Sequence, residues 1–359
     1  MSEEIVIDGS AGEGGGQVLR TALTLAAITG RAVEVRDVRA GRPRPGLQPQ
    51  HLAAVRAAAA ICAAEVEGAE LDSQTLRFAP QGPCRPGEYR FDVAEIAGRG
   101  SAGAVGLVLQ TVLWPLALAD GDSQVTLRGG THVPWAPSVD YLQAVFLPAV
   151  ARMGLRAEIE RVAWGFYPAG GGEARVHLHG RVAPLSPIQW TQAGQLVRVR
   201  CVGVAANLPA HIAQRMVNRA HNLLTTALAT RPEVQLEPLR VRSAGPAATF
   251  FLLASYEQAS AGFSAYGRKG LAAEHVAEAA CQELLAHHTT GAPVDPHLAD
   301  QLVLPMALAA GTSRIVTSAI SDHLLTNLSV VRAFLPLQAQ VEGGRGSPGA
   351  VTIIGSAHD

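Results

Sequence analysis

The chain has 359 residues, of which 48% are hydrophobic and 16% are charged, a composition that supports a large core and excludes global disorder. Its formal net charge of −1 excludes a generally polycationic nucleic-acid binder, although it is compatible with a local basic patch. No uninterrupted apolar run reaches the roughly 18 residues of a membrane span, so we predict no association with a membrane.

The start of the chain and its cysteines indicate a reducing compartment. Residues 1–4 are acidic and lead directly into a strand-like run, which is not the form of a signal peptide. The cysteines lack CxxC spacing, which argues against a zinc site or a disulfide framework: Cys62, Cys84, Cys201 and Cys281. We therefore predict a cytoplasmic protein. Lys269 is the only lysine, so lysine-based chemistry has a single candidate.

A glycine-rich turn, Gly9 to Gly16, connects a predicted strand (Ile5 to Asp8) to a predicted helix (Gln17 to Thr29). Backbone N–H groups at the N-terminus of a helix suit a bound phosphate, but a structural tight turn is equally compatible with this composition. Glu13 is unusual there, because a carboxylate repels a phosphate unless a divalent cation lies between them. Glu13 is thus a candidate ligand of Mg²⁺ or Mn²⁺, and the alternative is an exposed loop acid.

A stiff basic loop follows the second predicted strand, Ala32 to Val38. Arg39, Arg42 and Arg44 alternate with glycine and proline, which prevents a regular helix. Arginine forks on a rigid loop suit bidentate contacts with phosphate, and a solvated charged loop is the alternative. A helix from Gln50 to Ala64 is predicted next.

The same succession of elements occurs three times. Gln17, Gln110 and Gln301 each begin a predicted apolar helix, and each helix leads into a strand, a polar loop and a second helix. The second helices are predicted to begin near Gln50, Val139 and Leu324. Internal repeats of this kind indicate one supersecondary unit that is used three times.

The spacing of these glutamines indicates an insertion. Gln17 and Gln110 are 93 positions apart, whereas Gln110 and Gln301 are 191 positions apart, an excess of 98 residues. An excess of that size matches a small domain. We place a small α/β domain at residues 185–289, between the second and third repeats, and a discontinuous repeat domain at residues 1–184 and 290–359.

Two other features carry weaker signals. Gly262 to Lys269 is similar to a phosphate loop, but Arg268 stands where the motif requires lysine, so we predict a turn before a helix. His177 and His179 alternate on one predicted strand and face the same side, yet the sequence shows no third metal ligand beside them.

His323 lies just after a short predicted strand, Arg314 to Ser318. A neutral imidazole there can act as a nucleophile or a base, since its unperturbed pKa is about 6.5, or it can lie satisfied under a helix N-terminus. If the three repeats pack around a pseudo-threefold axis, their polar loops converge, and His132 would line the same cleft. The convergent set would suit phosphoryl or nucleotidyl transfer: Glu13, Arg39, Arg42, Gln50, His51, Gly130, Pro134 and His323.

Several segments together carry a specific resemblance. They are DGSAGEGGGQ (8–17), RAGRP (39–43), GLQPQHL (46–52), GGT (129–131) with Pro134, YPAGGG (167–172), LADQ (298–301) and HLLTN (323–327). In this order, over almost the whole chain, they resemble the RNA 3′-terminal phosphate cyclase family. The resemblance implies an α/β (α+β) fold with three βαβαββ-type repeats, as in one enolpyruvyl-transferase domain, and an inserted thioredoxin-like α/β domain.

The resemblance also implies a ligase that uses ATP to convert an RNA 3′-terminal phosphate into a 2′,3′-cyclic phosphate. His323 would attack the α-phosphate of ATP and hold AMP as a phosphoramidate. AMP would then pass to the RNA 3′-phosphate, and the neighbouring 2′-OH would expel it. The implied cofactors and partners are ATP, Mg²⁺ or Mn²⁺ and RNA 3′-phosphate ends. The oligomeric state stays open, a homodimer included.

The family's site residues match positions in this chain. Glu13 matches its metal-binding glutamate, and Pro134 matches a proline that packs on the adenine. The other matches to its nucleotide site are Gln110, His297, Leu298, Ala299, Asp300 and Gln301. The matches around the phosphates and the RNA end are Arg20, Arg39, Arg42, Gln50 and His51. His297 stands where some relatives carry tyrosine, which predicts altered nucleotide affinity, and Arg44 stands where lysine is common.

Three other functions compete with this interpretation. Cyclase-like proteins that act in ribosome assembly share the fold but lack the nucleophilic histidine, so His323 argues against this main alternative. An enolpyruvyl transferase has two similar large domains, which a single excess of 98 residues does not fit. A pure RNA-binding module would carry aromatic platforms, which an aromatic content of 5% disfavours.

Overall fold

The computed structural model describes residues 4–97, 102–180 and 184–355. Within these ranges sixteen strands form four sheets of four strands each. No helix in this part of the chain combines the length and the hydrophobicity that a membrane crossing requires. The outer ends of the predicted repeat domain, residues 1 and 359, lie outside the described residues.

The first repeat has the element order βαβαββ. Its elements are β1 (Ile5–Asp8), α1 (Gly16–Thr29), β2 (Val33–Arg36), α2 (Pro49–Cys62), β3 (Glu65–Glu67) and β4 (Leu76–Ala79). The sheet order is β1-β2-β4-β3, with a parallel first pair and antiparallel pairs after it. Buried and less buried residues alternate along β1 and β2, so one face of this sheet is available to pack against the helices.

The second repeat follows the same plan with a divided second helix. Its elements are β5 (Glu88–Asp92), α3 (Val93–Ala97), α4 (Val105–Ala117), β6 (Ser123–Gly129), α5 (Val139–Tyr141), a π-helical turn (Leu142–Phe146), α6 (Leu147–Ala151), β7 (Ala157–Ala163) and β8 (Gly172–Leu178). The sheet order, β5-β6-β8-β7, is the order of the first repeat. α4 is apolar on nearly every side and packs against α1 and α2, as expected for a central buried helix.

The elements of the inserted domain follow the short strand β9 (Gln189–Trp190) along the chain. Its elements are β10 (Leu196–Ala206), α7 (Ala210–Ala227), β11 (Glu233–Val241), β12 (Ala247–Tyr256), β13 (Ser260–Tyr266) and α8 (Ala273–Thr290). Its sheet order is β11-β10-β12-β13, in which β10 and β11 are parallel and the other pairs antiparallel. A separate hydrophobic core joins this sheet to α7 and α8. The βαβ unit followed by a ββα unit is the thioredoxin-like arrangement.

The third repeat resumes with α9 (Pro296–Leu308), β14 (Gly311–Thr317), α10 (Asp322–Phe334), β15 (Gln338–Glu342) and β16 (Gly349–Gly355). β9 pairs in parallel with β14, and the sheet order is β9-β14-β16-β15. The same order therefore occurs three times, which confirms the predicted repeats and the α/β fold class. The first strand of the third repeat, β9, thus precedes the inserted sheet along the chain. The domain boundaries at 184/185 and 289/290 stay a prediction.

The predicted starts of two helices are wrong. Gln110 and Gln301 lie inside α4 and α9 and do not begin them. α9 begins earlier because the Asp295 side chain accepts hydrogen bonds from the backbone N–H groups of His297 and Leu298, which caps the helix before Gln301 is reached.

The prediction of a turn at Gly262 to Lys269 is also wrong over most of its length, because β13 continues to Tyr266 and pairs with β12. Gly262 has a packing reason for its glycine. A Cβ at this position would lie 2.8 Å from Cδ2 of Tyr141. The glycine therefore permits a close approach between the inserted domain and the second repeat.

Candidate active site

A cavity of about 240 Å³ lies where the three repeats and the inserted domain meet. Its wall includes Gln17 and Arg20 of α1, Gln110 of α4, residues 135–138 and Tyr141, Gly262, Ser264 and Tyr266 of β13, His297, Asp300 and Gln301 of α9, and His323 of α10. Elements of all three repeats thus meet at one cavity, and His323 is the member of the predicted convergent set that lies in its wall.

A histidine–glutamate pair stands at this cavity. His323 Nδ1 lies 3.0 Å from Glu13 Oε1. The Ser321 side chain caps α10 and places His323 in the first turn of the helix. Glu13 is held near it because its backbone N–H donates to Thr326 Oγ1 at 3.4 Å, across 313 positions of sequence. When neutral His323 donates from Nδ1 to Glu13, its Nε2 keeps a free lone pair.

The protonation of His323 depends on this pair. Its pKa lies above the usual value, chiefly because of the hydrogen bond to Glu13, and the charges of Asp300 and Glu13 act in the same direction. Burial and the nearby Arg20 oppose that increase. His323 must therefore lose a proton before it can act as a nucleophile, and that loss needs a higher pH than for a free imidazole.

The glycine-rich turn is required by the side chains that pass over it. A Cβ on Gly16 would lie 2.5 Å from His51 Nε2 and 2.8 Å from Arg20 Nη1. A Cβ on Gly15 would lie 2.7 Å from Glu13 Oε1. The small residues of this turn therefore make room for the polar groups of the cleft.

Arg20 is a buried cation with incomplete pairing. It is 8% exposed, and its Nη2 donates to Gln17 Oε1 at 2.7 Å, while its Nε has no hydrogen-bond partner among the described residues. Burial lowers the pKa of Arg20 to about 10, although Glu13 and Asp300 raise it. Arg20 stays charged at neutral pH, and a bound anion would compensate a buried charge of this kind.

His51 is a neutral hydrogen-bond donor beside Arg20. It is 3% exposed, and its Nδ1 accepts a hydrogen bond from the backbone N–H of Gln48 at 3.0 Å, so the proton lies on Nε2. Burial lowers the pKa of His51 to about 3, with help from the charges of Arg20 and Arg39. Its Nε2–H adds a donor next to the Arg20 guanidinium without adding charge.

The basic loop contributes two arginines of different exposure. Arg42 Nη2 lies 3.5 Å from Glu13 Oε2, which brings this half-exposed guanidinium to the histidine–glutamate pair. Arg39 is less exposed and donates to the Gly46 carbonyl at 3.5 Å, and its pKa is lowered by burial and by Arg42. Gln50 lies in the first turn of α2, one residue before His51.

Unpaired polar atoms face the cavity from two helices. Gln110 Oε1 and Gln301 Oε1 are buried without a hydrogen-bond partner in the described parts of the chain. In the same cavity wall, burial raises the pKa of Asp300 to about 6, even though His297 and His323 lower it. Buried polar atoms that lack protein partners are satisfied by water or a ligand, so these groups fit a polar molecule such as a nucleotide.

Three residues predicted for the nucleotide site lie differently. Leu298 and Ala299 are 3% and 0% exposed and belong to the main hydrophobic core. Pro134 directly precedes the segment 135–138 that lines the cavity. For these three positions a role in nucleotide binding stays a prediction.

Sequence reasoning missed a buried support under the cavity. Asp295 is fully buried and accepts hydrogen bonds from the Tyr141 hydroxyl at 2.9 Å and from the Gly262 N–H at 3.4 Å. It thereby joins the second repeat and the inserted domain to α9. The Asp-Pro pair at the start of α9 was an available signal of a helix cap. No sequence signal indicated Tyr141 or Trp135, which is 97% exposed beside the cavity.

The prediction that His132 lines the cleft is wrong. His132 is 3% exposed, its Nε2 lies 3.2 Å from Asp140 Oδ2, and its ring packs against Trp164 with centroids 4.6 Å apart. The ring is held under Trp164 because Thr131 and Asp140 satisfy both of its nitrogens. This histidine stabilises the second repeat.

Glu13 fits the predicted divalent metal. Mg²⁺ in phosphate-transfer sites is usually held by one or two carboxylates together with the phosphates of the substrate. Glu13 offers one carboxylate beside the cavity, in reach of the same cleft as Arg20 and Arg42. The metal assignment itself stays a prediction.

This fold and site define a class of α/β protein with three repeats, one inserted domain and a histidine–carboxylate pair in an arginine-lined cleft. The family profile described as RTC, RNA 3′-terminal phosphate cyclase, matches residues 11–341. The chain belongs to the RNA 3′-terminal phosphate cyclase family, as its motifs predicted.

Curated relatives match this chain over almost their whole length. The protein named RNA 3′-terminal phosphate cyclase in Trichormus variabilis is 52% identical over 92% of this chain and 94% of its own. Those of Methylococcus capsulatus and Salmonella enteritidis are 50% and 44% identical, over 98% and 95% of this chain and 96% of their own. The enolpyruvyl transferase NikO from Streptomyces tendae matches 99% of this chain and 49% of its own with a TM-score of 0.37 and 11% identity, too low to carry an argument.

Proposed function

We propose that this protein uses ATP to convert an RNA 3′-terminal phosphate into a 2′,3′-cyclic phosphate, with a covalent histidyl-AMP at His323. Membership of the family supports the overall reaction. The observation that carries the covalent step is the 3.0 Å contact between His323 Nδ1 and Glu13 Oε1, which leaves Nε2 free beside the cavity. The two residues lie near opposite ends of the chain, so only the folded protein brings them together.

The first step forms the bond between His323 and AMP. The lone pair on Nε2 attacks the α-phosphorus of ATP, the P–N bond forms, and the P–O bond to pyrophosphate breaks. The imidazole gains positive charge in this step, and the Glu13 carboxylate at Nδ1 stabilises that charge. A divalent metal bound at Glu13 would neutralise negative charge on the phosphates.

Buried donors complete the first step. Arg20 has an unpaired Nε, and the neutral His51 has a proton on Nε2 next to it. Both groups are fixed before substrate binds, and preorganised donors stabilise charge that develops on a phosphate without further rearrangement. We assign them, with Arg42, to the phosphates of ATP and of the RNA end.

The second and third steps release the histidine and then AMP. An oxygen of the RNA 3′-phosphate attacks the phosphorus of the adenylate, the P–N bond breaks, and His323 recovers its lone pair. The 2′-OH then attacks the activated 3′-phosphorus, AMP leaves, and the hydroxyl proton is lost. The basic loop, Arg39 to Arg44, supports placement of the RNA end, because its guanidinium groups recognise phosphate and not base sequence.

The adenosine is assigned to the cavity of about 240 Å³. The unpaired amide oxygens of Gln110 and Gln301 can accept hydrogen bonds from an amino group, which adenine carries. The His297 ring lies edge-on to the Tyr141 ring, with centroids 6.5 Å apart. His297 supplies an aromatic ring at a position where some relatives have tyrosine. Because the imidazole can still stack on adenine, we expect this histidine to alter the affinity for ATP and not to abolish the activity.

A protein that catalyses this reaction is a ligase that forms a phosphoric ester bond. Cys62, Cys84, Cys201 and Cys281 are free thiols, which supports the reducing cytoplasm as its location. The alternative, a non-catalytic relative that acts in ribosome assembly, is disfavoured because His323, Glu13 and Arg42 stand together at the cleft and the curated relatives carry the cyclase name.

The test is transfer of label from α-phosphate-labelled ATP to the denatured protein in the presence of Mg²⁺ or Mn²⁺. Wild type is compared with His323→Ala and with His211→Ala, an exposed histidine of the inserted domain. We expect an acid-labile, alkali-stable label in wild type and His211→Ala and none in His323→Ala. No label in any protein would favour the non-catalytic relative, and label retained by His323→Ala would identify a different nucleophile.

A further inference from the structure

A second cluster of histidine and carboxylate groups lies at the other end of the second sheet. β6 ends at Gly129, close to the segment 135–138 that lines the cavity, and begins at Ser123. Its seven residues span roughly 20 Å at about 3.3 Å per residue. Asp122 lies directly before this strand, so the edge cluster, defined as Asp122, His177 and His179, is separated from the cleft by the length of β6.

The register of the sheet brings the three side chains together. Ser123 pairs with Leu178 in the antiparallel ladder of β6 and β8, so one further step places Asp122 opposite His179. His177 and His179 are two positions apart on one extended segment and therefore share a face. The sequence shows the two histidines, but only the pairing of β6 with β8 supplies the carboxylate.

The donor atoms lie at the spacing of a coordination shell. Asp122 Oδ2 is 3.3 Å from His179 Nδ1 and 3.9 Å from His177 Nε2, and the ligand atoms of all three residues lie within 4.8 Å of one another. Zn²⁺ binds imidazole nitrogen and carboxylate oxygen at about 2.0–2.2 Å, which in a tetrahedron separates donors by roughly 3.3 Å. Small rotations of the side chains suffice to enclose an ion.

The backbone around the cluster is fixed before an ion binds. Asp122 Oδ1 accepts a hydrogen bond from the Gly180 N–H at 2.9 Å, which orients the carboxylate and leaves Oδ2 toward the histidines. A Cβ on Gly180 would lie 2.6 Å from the backbone nitrogen of Gly121, so two backbones meet closely at this point. The N–H of His179 donates to the Arg156 carbonyl at 2.9 Å. The hydrogen bond to Oδ1 of Asp122 is of the kind that ligating carboxylates typically accept.

We propose that Asp122, His177 and His179 form a surface site for one Zn²⁺ ion or a similar divalent transition metal. Two imidazoles and one carboxylate suit this class of ion, whereas Mg²⁺ prefers oxygen ligands alone. All three side chains are partly open to solvent, so water completes the coordination. Glu158, which pairs with His177 across β7, adds negative charge to the same face. The bound ion would join the start of β6 to the end of β8.

The test uses tag-free, full-length protein stripped of metal with a chelator and titrated with Zn²⁺ by equilibrium dialysis. The test variants are Asp122→Asn and the double variant His177→Ala/His179→Ala. The control is His211→Ala/His275→Ala, which removes two exposed histidines of the inserted domain. We expect wild type and the control to bind one more Zn²⁺ than the double variant, and Asp122→Asn to bind that ion at least about tenfold more weakly.

The Co²⁺ absorption spectrum gives a second measurement. The double variant is expected to lose the d–d bands of one nitrogen-ligated site, while its far-UV circular dichroism stays that of the folded protein. Equal stoichiometry and affinity in wild type and the double variant would overturn the proposal and reduce the cluster to a hydrogen-bonded surface group. Equal loss in the double variant and in the control would mean nonspecific binding to surface histidines, which also overturns it.

Discussion

The cleft and the edge cluster combine histidine with carboxylate in opposite ways. In the cleft, Glu13 contacts one nitrogen of a single histidine, His323, and the other nitrogen has no hydrogen-bond partner among the described residues. In the edge cluster, two histidine nitrogens and one carboxylate oxygen lie within 4.8 Å of one another. The residue types are the same, but the first arrangement suits the proposed nucleophile and the second suits the proposed set of metal ligands.

Burial explains the rest of the difference. The cleft holds Arg20 and Asp300 in surroundings that move the pKa of the first down to about 10 and of the second up to about 6. Such groups are destabilising unless a substrate pairs with them, which is typical of a functional site. The carboxylate of the edge cluster has its hydrogen bond and stays in contact with solvent, so it costs the fold little.

After the loss of His323 itself, the largest effect is expected where a single methyl group would displace two cleft residues. Gly16→Ala places a Cβ 2.5 Å from His51 Nε2 and 2.8 Å from Arg20 Nη1, so at least one of these donors must move. Displacement of a catalytic donor by about 1 Å costs on the order of 100-fold in rate. We expect that loss in the rate of protein labelling by ATP, measured at saturating metal.

The matched control is Gly82→Ala in the loop between β4 and β5, where an added Cβ meets no atom of the described residues within 4 Å. This variant should label at the rate of wild type, which shows that the loss belongs to the displaced donors. Full activity of Gly16→Ala would show that the cleft does not depend on the fixed positions of Arg20 and His51.

A smaller effect is expected from Glu13→Gln, which keeps the shape of the side chain and removes its charge. The hydrogen bond to Glu13 is the main reason that the pKa of His323 is raised, and the proposed nucleophile is the neutral histidine. Labelling by wild type therefore rises with pH through this raised value, and in Glu13→Gln the rise should occur at lower pH. Loss of this proposed metal ligand should also increase the Mg²⁺ or Mn²⁺ concentration needed, by about 10- to 100-fold.

The control for this variant is Glu158→Gln, which removes an exposed carboxylate on the edge side of the second sheet. Its pH profile and metal requirement should match those of wild type. Unchanged metal dependence in Glu13→Gln would remove Glu13 from the metal site, and an unchanged pH profile would separate it from His323.

The sequence predicted those residues of the cleft that stand out from their immediate neighbours in the chain. Glu13 stood out because a carboxylate is unusual in a glycine-rich turn, and His323 because it follows a short strand. The helical period also places the residues of the motif LADQ on two different faces of α9. Asp300 and Gln301 come three and four positions after His297, and all three line the cavity, while Leu298 and Ala299 fall on the core face of α9.

Other parts depend on contacts between distant segments. The partnership of Asp295 with Tyr141, the unpaired Gln110 amide and the position of Asp122 beside His179 all require the register of strands and the packing of helices. His132 shows the same limit, because its place under Trp164 cannot be inferred from its position in a repeat-equivalent loop.

A still smaller effect is expected on stability from Asp300→Asn. Burial raises the pKa of Asp300 from 3.8 to about 6, so the folded state binds this proton more tightly than the unfolded state. Ionisation of the carboxylate thus costs the fold stability as pH rises from 3.8 to about 6, at most roughly 3 kcal/mol from a shift of about two pH units. Asp300→Asn should be more stable than wild type at pH 8, where this cost is fully present.

Urea unfolding measures the difference. The gain should shrink below pH 6 and vanish below the ordinary carboxyl pKa, where wild type is neutral as well. The same variant should bind ATP more weakly, because the carboxylate lies in the wall of the cavity. Equal stability of the two proteins at pH 8 would mean that Asp300 is not destabilising in the free protein, and the contrast in burial between the two clusters would fail.

The smallest effect is expected from changes in the edge cluster on the reaction itself. Asp122→Asn and His177→Ala alter exposed side chains that are separated from the cleft by the length of β6. Surface changes of this kind usually shift stability by no more than about 0.5 kcal/mol, and labelling by ATP should stay within about twofold of wild type when no transition metal is added. A tenfold loss in either variant would mean that β6 transmits changes between its two ends. The two clusters would then belong to one coupled site, and Zn²⁺ bound at the edge would have to be treated as a regulator of the cleft.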